Sequence, residues 1–388
     1  MKNMRIPVVL LLLTAALSIH WKNPEPNKAK GGPFFKLTIG NNVMLVSEYR
    51  KGIRIFDIND VHAPQSVSFI SLEGNVDVAI SGSLLFADGY EHLYIYDISD
   101  AKNPTLIDSV MNVFSKFHFD KNTNDDSEQT GVGGFSGCDG CNNDDVITGP
   151  QTNASTPEIT VNDPSSFSSV ITTTGYVHVP YMSRFAVVGN YLYCVNNTEI
   201  AVHEISSRSL RFVKNISVGF GIEMISGNEG SLLIGGKDRK MVYDVRNALD
   251  PQYVSSLSDA NATDPIATEA GRAFISSTKG SNGNTIAVAN LHDASDVKSL
   301  GSLSLDQTFG ISVENSVAFV ASGSQGVKVI DAQSADAMQQ VGQIVGVNVF
   351  DVVKRGTALF AVGQMGVYIF DCTDVRDPIR IATIKNAL

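Results

Sequence analysis

The sequence predicts an all-β fold, a β-propeller of seven four-stranded blades. A segment of about twenty residues recurs seven times, mostly at a spacing near forty residues. Each recurrence divides into four short runs rich in Val, Ile, Leu, Tyr and Phe, and Gly, Ser, Asn, Asp and Pro separate the runs. Short runs of this kind are typical of strands. Four strands in about forty residues make one propeller blade.

The repeat carries an Asp and, in most clear copies, a Pro seven positions later. The clear copies read GIRIFDINDVHAPQSVSFI, HLYIYDISDAKNPTLIDSV, RKMVYDVRNALDPQYVSSL, GVKVIDAQSADAMQQVGQI and GVYIFDCTDVRDPIRIATI. In two degenerate copies Glu204 and Asn290 stand at the Asp position. We expect the Asp to cap the turn after the third strand and the Pro to begin the outer strand. Because a catalytic acid would occur once rather than in every copy, these acids are interpreted as scaffold.

The second copy shows the predicted blade most clearly. Its four strands are expected at 76–81, 84–88, 93–98 and 105–110. In blade one, Phe35–Gly40 fits the innermost strand, so the ring would close between complete blades. The alternative is that Gly31–Phe35 adds a strand to the last blade.

These copies resemble the LVIVD repeat, a family named for its strand-and-Asp motif. The resemblance covers about residues 35–388 outside one long insertion, and blades three and five depart from the motif. It implies an exported bacterial or archaeal propeller of mostly unassigned activity. It supplies no catalytic residues.

The first 18 residues are typical of a secretory signal peptide. Lys2 and Arg5 precede the apolar run Ile6–Leu17, and Ala16-Leu17-Ser18 is a small-x-small cleavage site. The run is shorter than the roughly 20 residues that span a bilayer. We therefore expect a polar linker at 19–34, a propeller at 35–388 and no transmembrane span in the mature chain. The mature protein would lie in the periplasm, on the cell surface or outside the cell.

The composition of the chain excludes some classes of protein. The net charge is −11, which argues against a nucleic-acid partner because such a protein needs a basic face. Hydrophobic residues make up 43% of the chain, enough to fill a core. Four Cys are too few for a dense disulfide framework.

Variable loops are expected on one rim of the propeller. In a four-stranded meander, the second-to-third and fourth-to-first connections emerge on the same face, here called the variable-loop rim. The Asp–Pro turns emerge on the opposite rim. Variable loops on a rigid scaffold commonly carry binding sites. The candidate ligand-binding residues are Tyr49, Arg50, Tyr90, Lys237, Arg239, Gln325 and Gln364.

A long insertion, residues 114–180, separates blades two and three and joins the variable-loop rim. We expect part of it to be disordered. Its oxygen-bearing side chains at alternating positions suit Ca²⁺, although the spacing is not that of an EF-hand, and a solvated acidic loop is the alternative. These candidate ligands are Asp120, Asn122, Asn124 and Asp126. Cys138 and Cys141 are interpreted as a local disulfide, because zinc would need further ligands.

The sequence favours a non-catalytic binding or scaffold protein. It contains no clustered His, no G-x-S-x-G elbow and no P-loop. A protein, peptide or carbohydrate would bind on the variable-loop rim, and the one cofactor left open is Ca²⁺. The alternative is a metal-dependent hydrolase or lactonase that gathers acids at the central channel. The acids available to it are Asp77, Glu223, Glu314 and Asp351. Three oxygen or imidazole ligands within about 2.5 Å of one point would favour this enzyme.

Overall fold

A computed structural model describes residues 33–114 and 183–386, apart from 197, 207–208, 220–221, 229, 237–238, 258–264, 281–282, 293–296 and 364. Within these ranges the chain forms seven antiparallel sheets of four consecutive strands. The predicted seven-bladed β-propeller is confirmed. The predicted leader lies outside the described residues, as does the insertion apart from Phe114.

The strands follow the chain order in every blade. Blade one comprises β1 (Phe34–Gly40), β2 (Val43–Glu48), β3 (Gly52–Asp57) and β4 (Gln65–Ser71). Blade two comprises β5 (Val78–Ser81), β6 (Leu84–Gly89), β7 (His92–Asp97) and β8 (Thr105–Val110). Blade three comprises β9 (Phe185–Val188), β10 (Tyr191–Val195), β11 (Glu199–Ile205) and β12 (Leu210–Ser217). Blade four comprises β13 (Ile222–Asn228), β14 (Ser231–Gly236), β15 (Arg239–Asp244) and β16 (Gln252–Leu257).

The remaining blades repeat the same order. Blade five comprises β17 (Ile266–Glu269), β18 (Arg272–Gly280), β19 (Gly283–Asn290) and β20 (Ser299–Ser304). Blade six comprises β21 (Ile311–Glu314), β22 (Val317–Ala321), β23 (Val327–Asp331) and β24 (Gln339–Ile344), with a 3-10 helix at Ala335–Ala337. Blade seven comprises β25 (Asp351–Arg355), β26 (Ala358–Gly363), β27 (Gly366–Asp371) and β28 (Ile379–Lys385).

The ring closes between complete blades. Phe34 pairs with Glu48 of β2, so β1 belongs to blade one, and blade seven consists of β25–β28. The first strand of each blade contacts the first strands of its neighbours, and β1 contacts β25 in the same way. These seven strands therefore surround the central channel.

Apolar side chains fill every junction between neighbouring blades. Seven buried clusters occur in the described residues, and each combines side chains of two adjacent blades. Leu37 of blade one packs with Phe360 and Val362 of blade seven, which closes the ring. Each blade therefore depends on its two neighbours for burial of its faces, as in other repeat architectures.

The recurrent acids cap turns, as predicted. Five Asp residues end the third strand of their blades, and the Oδ1 of each accepts the backbone N–H two residues later at 2.8–3.0 Å. They are Asp57, Asp97, Asp244, Asp331 and Asp371. Asn290 accepts the His292 N–H in the same way at 3.0 Å. These side chains satisfy backbone donors and form part of the scaffold.

No helix within the described ranges is long and apolar enough to cross a membrane.

Replacing Asp331 by Ala removes the acceptor for the Gln333 N–H. We expect the free energy of unfolding to fall by about 1 kcal/mol. Asp331→Asn keeps an acceptor oxygen, as Asn290 does in blade five, and should lose clearly less. Urea unfolding of both variants measures the difference. Equal losses, or none in the Ala variant, would contradict the capping role.

Candidate ligand site at the mouth of the central channel

One position of the repeat recurs around the mouth of the channel. It lies seven residues before the first residue of each blade's second strand, as Lys36 does before Val43. It marks the point where each blade's chain enters the channel from the variable-loop rim. Its occupants, here called the channel-mouth ring, are Lys36, Asp77, Arg184, Met224, Pro265, Gly310 and Asp351.

The channel-mouth ring has a charged arc and an uncharged arc. Asp351, Lys36, Asp77 and Arg184 belong to blades seven, one, two and three, so the sign of charge alternates across four consecutive blades. Blades four to six contribute Met, Pro and Gly. The mouth is therefore polar on one side and largely apolar on the other.

Hydrogen bonds and ion pairs link the charged arc across three blades. The Lys36 ammonium forms an ion pair with the Asp77 carboxylate. The other oxygen of Asp77 accepts the Arg184 backbone N–H at 2.6 Å. The Arg184 guanidinium donates to Asp88 at 2.9 Å and to the Tyr90 carbonyl at 2.9 Å. Blade two is thereby tied to both of its neighbours.

Asp88 lies behind the ring and is fully buried. Its Oδ1 accepts the N–H groups of Val76 and Asp77 at 2.9 Å and the side-chain amide of Asn75 at 3.0 Å. Burial raises the pKa of Asp88 to about 6, although the neighbouring Arg184 opposes the rise. The carboxyl therefore depends on its guanidinium partner to remain charged.

Asp351 closes the charged arc at the seam between blades seven and one. Its carboxylate accepts the N–H of Leu37 at 3.3 Å and of Val352 at 2.9 Å. Desolvation raises its pKa to about 6, against the lowering effect of Lys36. Gly310 allows this placement, because a Cβ there would lie 2.5 Å from Asp351 Oδ1.

A cavity of ≈ 320 Å³ opens at the ring, and five ring members line it: Lys36, Met224, Pro265, Gly310 and Asp351. Lys36, Asp351 and Ser183 supply polar groups to its wall. The rest of the wall is mainly apolar and extends along the channel. It comprises Phe185, Ala186, Val187, Met224, Ile225, Ser226, Gly227, Pro265, Ile266, Gly310 and Ile311. Concave sites of this size with a few polar groups suit small molecules.

Three predicted rim residues lie together on blades one and two. The Tyr49 ring packs against Phe35 with 5.1 Å between centroids. The Arg50 carbonyl accepts the Gly74 N–H at 3.2 Å. Gly74 in turn abuts Tyr90, since a Cβ on Gly74 would lie 2.7 Å from the Tyr90 ring. All three side chains are partly exposed.

The other predicted rim residues do not join this group in the described structure. Gln325 lies in a turn of blade six, where its carbonyl accepts the Gln343 side-chain amide at 3.0 Å. Lys237 and Gln364 lie outside the described residues, as does the Arg239 side chain. The Ca²⁺ candidates Asp120, Asn122, Asn124 and Asp126 also lie outside them, together with Cys138 and Cys141. Those assignments stay predictions.

The acids predicted for the hydrolase alternative lie at opposite ends of the innermost strands. Asp77 and Asp351 flank Lys36 at the mouth, whereas Glu314 ends β21. Glu314 binds Lys354 Nζ at 3.0 Å and the Gly356 N–H at 2.9 Å. The Glu223 side chain is outside the described set. Among the side chains that are described, no three His, Cys, Asp or Glu are grouped to hold a metal ion.

Three members of this site were not predicted from the sequence: Lys36, Asp88 and Arg184. The repeat contains a sequence signal for two of these residues, Lys36 and Arg184. Aligning the innermost strands places Lys36 and Arg184 in the same column as Asp77 and Asp351. Asp88 has no such signal, because it lies at the end of an otherwise apolar second strand and its role follows only from burial.

A second missed feature is an apolar strip on the outer wall of three consecutive blades. At equivalent positions of the outermost strands, blades two, three and four carry Leu106, Phe212 and Tyr253, each more than half exposed. The other four blades carry Ser66, Ser299, Gln340 and Arg380 there. The outer wall therefore differs between the two sides of the propeller.

Comparison with known proteins supports the fold alone. No family model matches the chain, and no curated protein is significantly similar in sequence. The computationally designed protein Ika8 has a TM-score of 0.54 at 10% identity, covering 88% of this chain and 84% of that one. Sqt1 of Saccharomyces cerevisiae has a TM-score of 0.53 at 11% identity, covering 90% of this chain and 85% of that one.

A third similar structure is PorZ, a bacterial surface component of the type-IX secretion system of Porphyromonas gingivalis. The TM-score is 0.51 at 11% identity, and the match covers 92% of this chain and 39% of PorZ. These structural neighbours are propellers. The resemblance to the LVIVD repeat stays a prediction.

Asp351 should make stability depend on pH. Because its pKa is higher in the folded chain than the usual 3.8, the stability it contributes is present at low pH and lost as pH rises through about 6. Asp351→Asn stays neutral, so its unfolding free energy relative to the wild type should increase from about pH 4 to about pH 7, by at most about 3 kcal/mol. Urea unfolding across this range measures the effect.

Asp371→Asn is a control of opposite sign, because hydrogen bonds from Thr373 lower the pKa of Asp371. Its stability relative to the wild type should fall as the pH rises towards about 4 and should stay constant above about pH 5. A flat difference for Asp351→Asn would show that this carboxyl is not desolvated.

Proposed function

We propose that this protein is a non-catalytic binding protein of the cell exterior whose ligand site occupies the variable-loop rim and the channel mouth. The cavity of ≈ 320 Å³ is the observation that carries this proposal. It opens where Lys36, Asp351 and the uncharged arc meet, so one face offers both charged and apolar contacts. Sites with this combination fix the orientation of a ligand through a few polar groups.

Rigid surroundings support a binding role. The connection from blade one to blade two, residues 72–77, is held by hydrogen bonds to the Arg50 backbone and to the Asp88 carboxylate. Apolar clusters bury both sides of every blade. A preorganised site of this kind loses little conformational entropy when its ligand binds.

The placement of the acids favours binding over the metal-dependent hydrolase. Asp77 already forms an ion pair with Lys36 and accepts a hydrogen bond from the Arg184 N–H. Glu314, at the end of β21 far from the channel mouth, accepts hydrogen bonds from the Lys354 ammonium and the Gly356 N–H. Each of these carboxylates thus stabilises a junction between blades. An exterior location is supported by the predicted leader at residues 1–18.

A matched pair of rim variants tests this function. Arg50→Asn with Tyr90→Asn alters the variable-loop rim of blades one and two. Asn is chosen because both positions have a positive φ, 59° and 56°, which Asn tolerates. His62→Asn with Lys102→Asn alters exposed positions on the opposite rim of the same blades.

The full chain is applied to an array of bacterial polysaccharides and peptides. The first variant should lose signal by at least about tenfold, and the second should match the wild type. The proposal fails if the opposite-rim variant alone loses signal, if the wild type binds nothing, or if it turns over ester or lactone substrates.

A further inference from the structure

One carboxylate at the channel mouth, that of Asp351, forms no ion pair with the described side chains, while the buried Lys240 ammonium lies against Met224 Sδ at 3.7 Å. Lys36 forms an ion pair with Asp77, and Arg184 forms one with Asp88. Asp351 is the third acid. The hydrogen bonds to its carboxylate come from the neutral backbone N–H groups of Leu37 and Val352. A partly desolvated carboxylate without an ion-pair partner attracts a cation.

Asp351 also faces the space that a ligand would fill. It lines the cavity together with Lys36 of blade one and Gly310 of blade six. Phe185, Ile266 and Ile311 line the same cavity. A carboxylate and hydrocarbon side chains around one cavity are complementary to an amphiphilic cation.

We infer that the cavity binds a small organic cation, an ammonium group on a hydrocarbon body. The ammonium donates to the Asp351 carboxylate, and the hydrocarbon packs against Phe185, Ile266 and Ile311. This inference rests on the proposed binding function and gives the chemical class of one ligand. A charge-assisted hydrogen bond provides the specificity, and burial of apolar surface provides affinity.

Two other ligand classes fit less well. An anion would have to use Lys36, whose ammonium is already paired with Asp77, and it would face the Asp351 charge. A bare metal ion would gain nothing from the apolar wall, and hard cations require several oxygen ligands. Both classes become outcomes of the test.

The probes are benzylamine, benzyl alcohol and benzoate, which share one ring and differ in charge. Isothermal titration with the full chain near pH 7.5 should show saturable binding of protonated benzylamine at one site. Benzyl alcohol should bind at least about tenfold more weakly, because it lacks the charge-assisted bond. Stronger binding of benzoate, equal binding of the alcohol, or no amine binding would overturn the inference.

Asp351→Asn removes the charge, keeps an acceptor oxygen for the Val352 N–H and replaces the oxygen that accepts the longer bond from Leu37 by an amide NH2. It should weaken benzylamine binding at least about tenfold and leave benzyl alcohol unchanged. Glu314→Gln is the matched control, an acid at the other end of a neighbouring innermost strand, and should bind like the wild type. Unchanged amine affinity in Asp351→Asn would contradict the assignment.

The pH profile of the wild type provides a measurement without any variant. Among the described residues, the charged groups that act on Asp351 are Lys36 and Asp77. Amine affinity should be constant above about pH 7 and should decrease as the pH falls through about 6 and Asp351 takes up a proton. A flat profile to pH 5 would contradict the inference.

The amine-binding test and the array test distinguish failure of the ligand class from failure of the proposed function. Loss of amine binding with retained rim-dependent array binding would overturn only the ligand class. Loss of both would overturn the proposed function.

Discussion

The buried ion pair between Arg184 and Asp88 is the interaction on which the channel mouth depends. Both side chains are almost completely buried, and an unpaired charge at such depth is strongly destabilising. The pair fixes Arg184, whose backbone N–H holds Asp77. Asp77 then holds Lys36, which lies beside Asp351 at the closing seam. One chain of contacts therefore orders four of the seven blades around the cavity.

This arrangement explains why the polar arc lies where it does. None of the described strands is shared between blades, so the seam between blades seven and one relies on packing around Leu37 and on the hydrogen bond from its N–H to Asp351. The junction of blades two and three is similar, because it joins β8, which ends at Val110, to β9, which begins only at Phe185. Charged contacts supplement apolar packing at both places. The uncharged arc belongs to blades four to six, which form neither the seam of the ring nor the junction of blades two and three.

The sequence was sufficient to predict the scaffold and insufficient to predict the site. Asp331 and its equivalents could be assigned because their partners lie two residues away, within one turn. Arg184 and Asp77 are separated by 107 residues, and only closure of the blades brings them together. Tyr49, Arg50 and Tyr90 were placed on the correct loops by the meander. Their association through Gly74 depends on how blades one and two pack, which the repeat does not encode.

A double-mutant cycle on Arg184 and Asp88 tests this account most directly. Urea unfolding of Arg184→Met alone should show a loss of about 3–5 kcal/mol, because Asp88 loses its cationic partner and must either carry an unpaired buried charge or take up a proton. Adding Asp88→Asn should recover at least about 1 kcal/mol of that loss. Strictly additive effects, or a harmless Arg184→Met, would contradict the view that this ion pair organises the channel mouth.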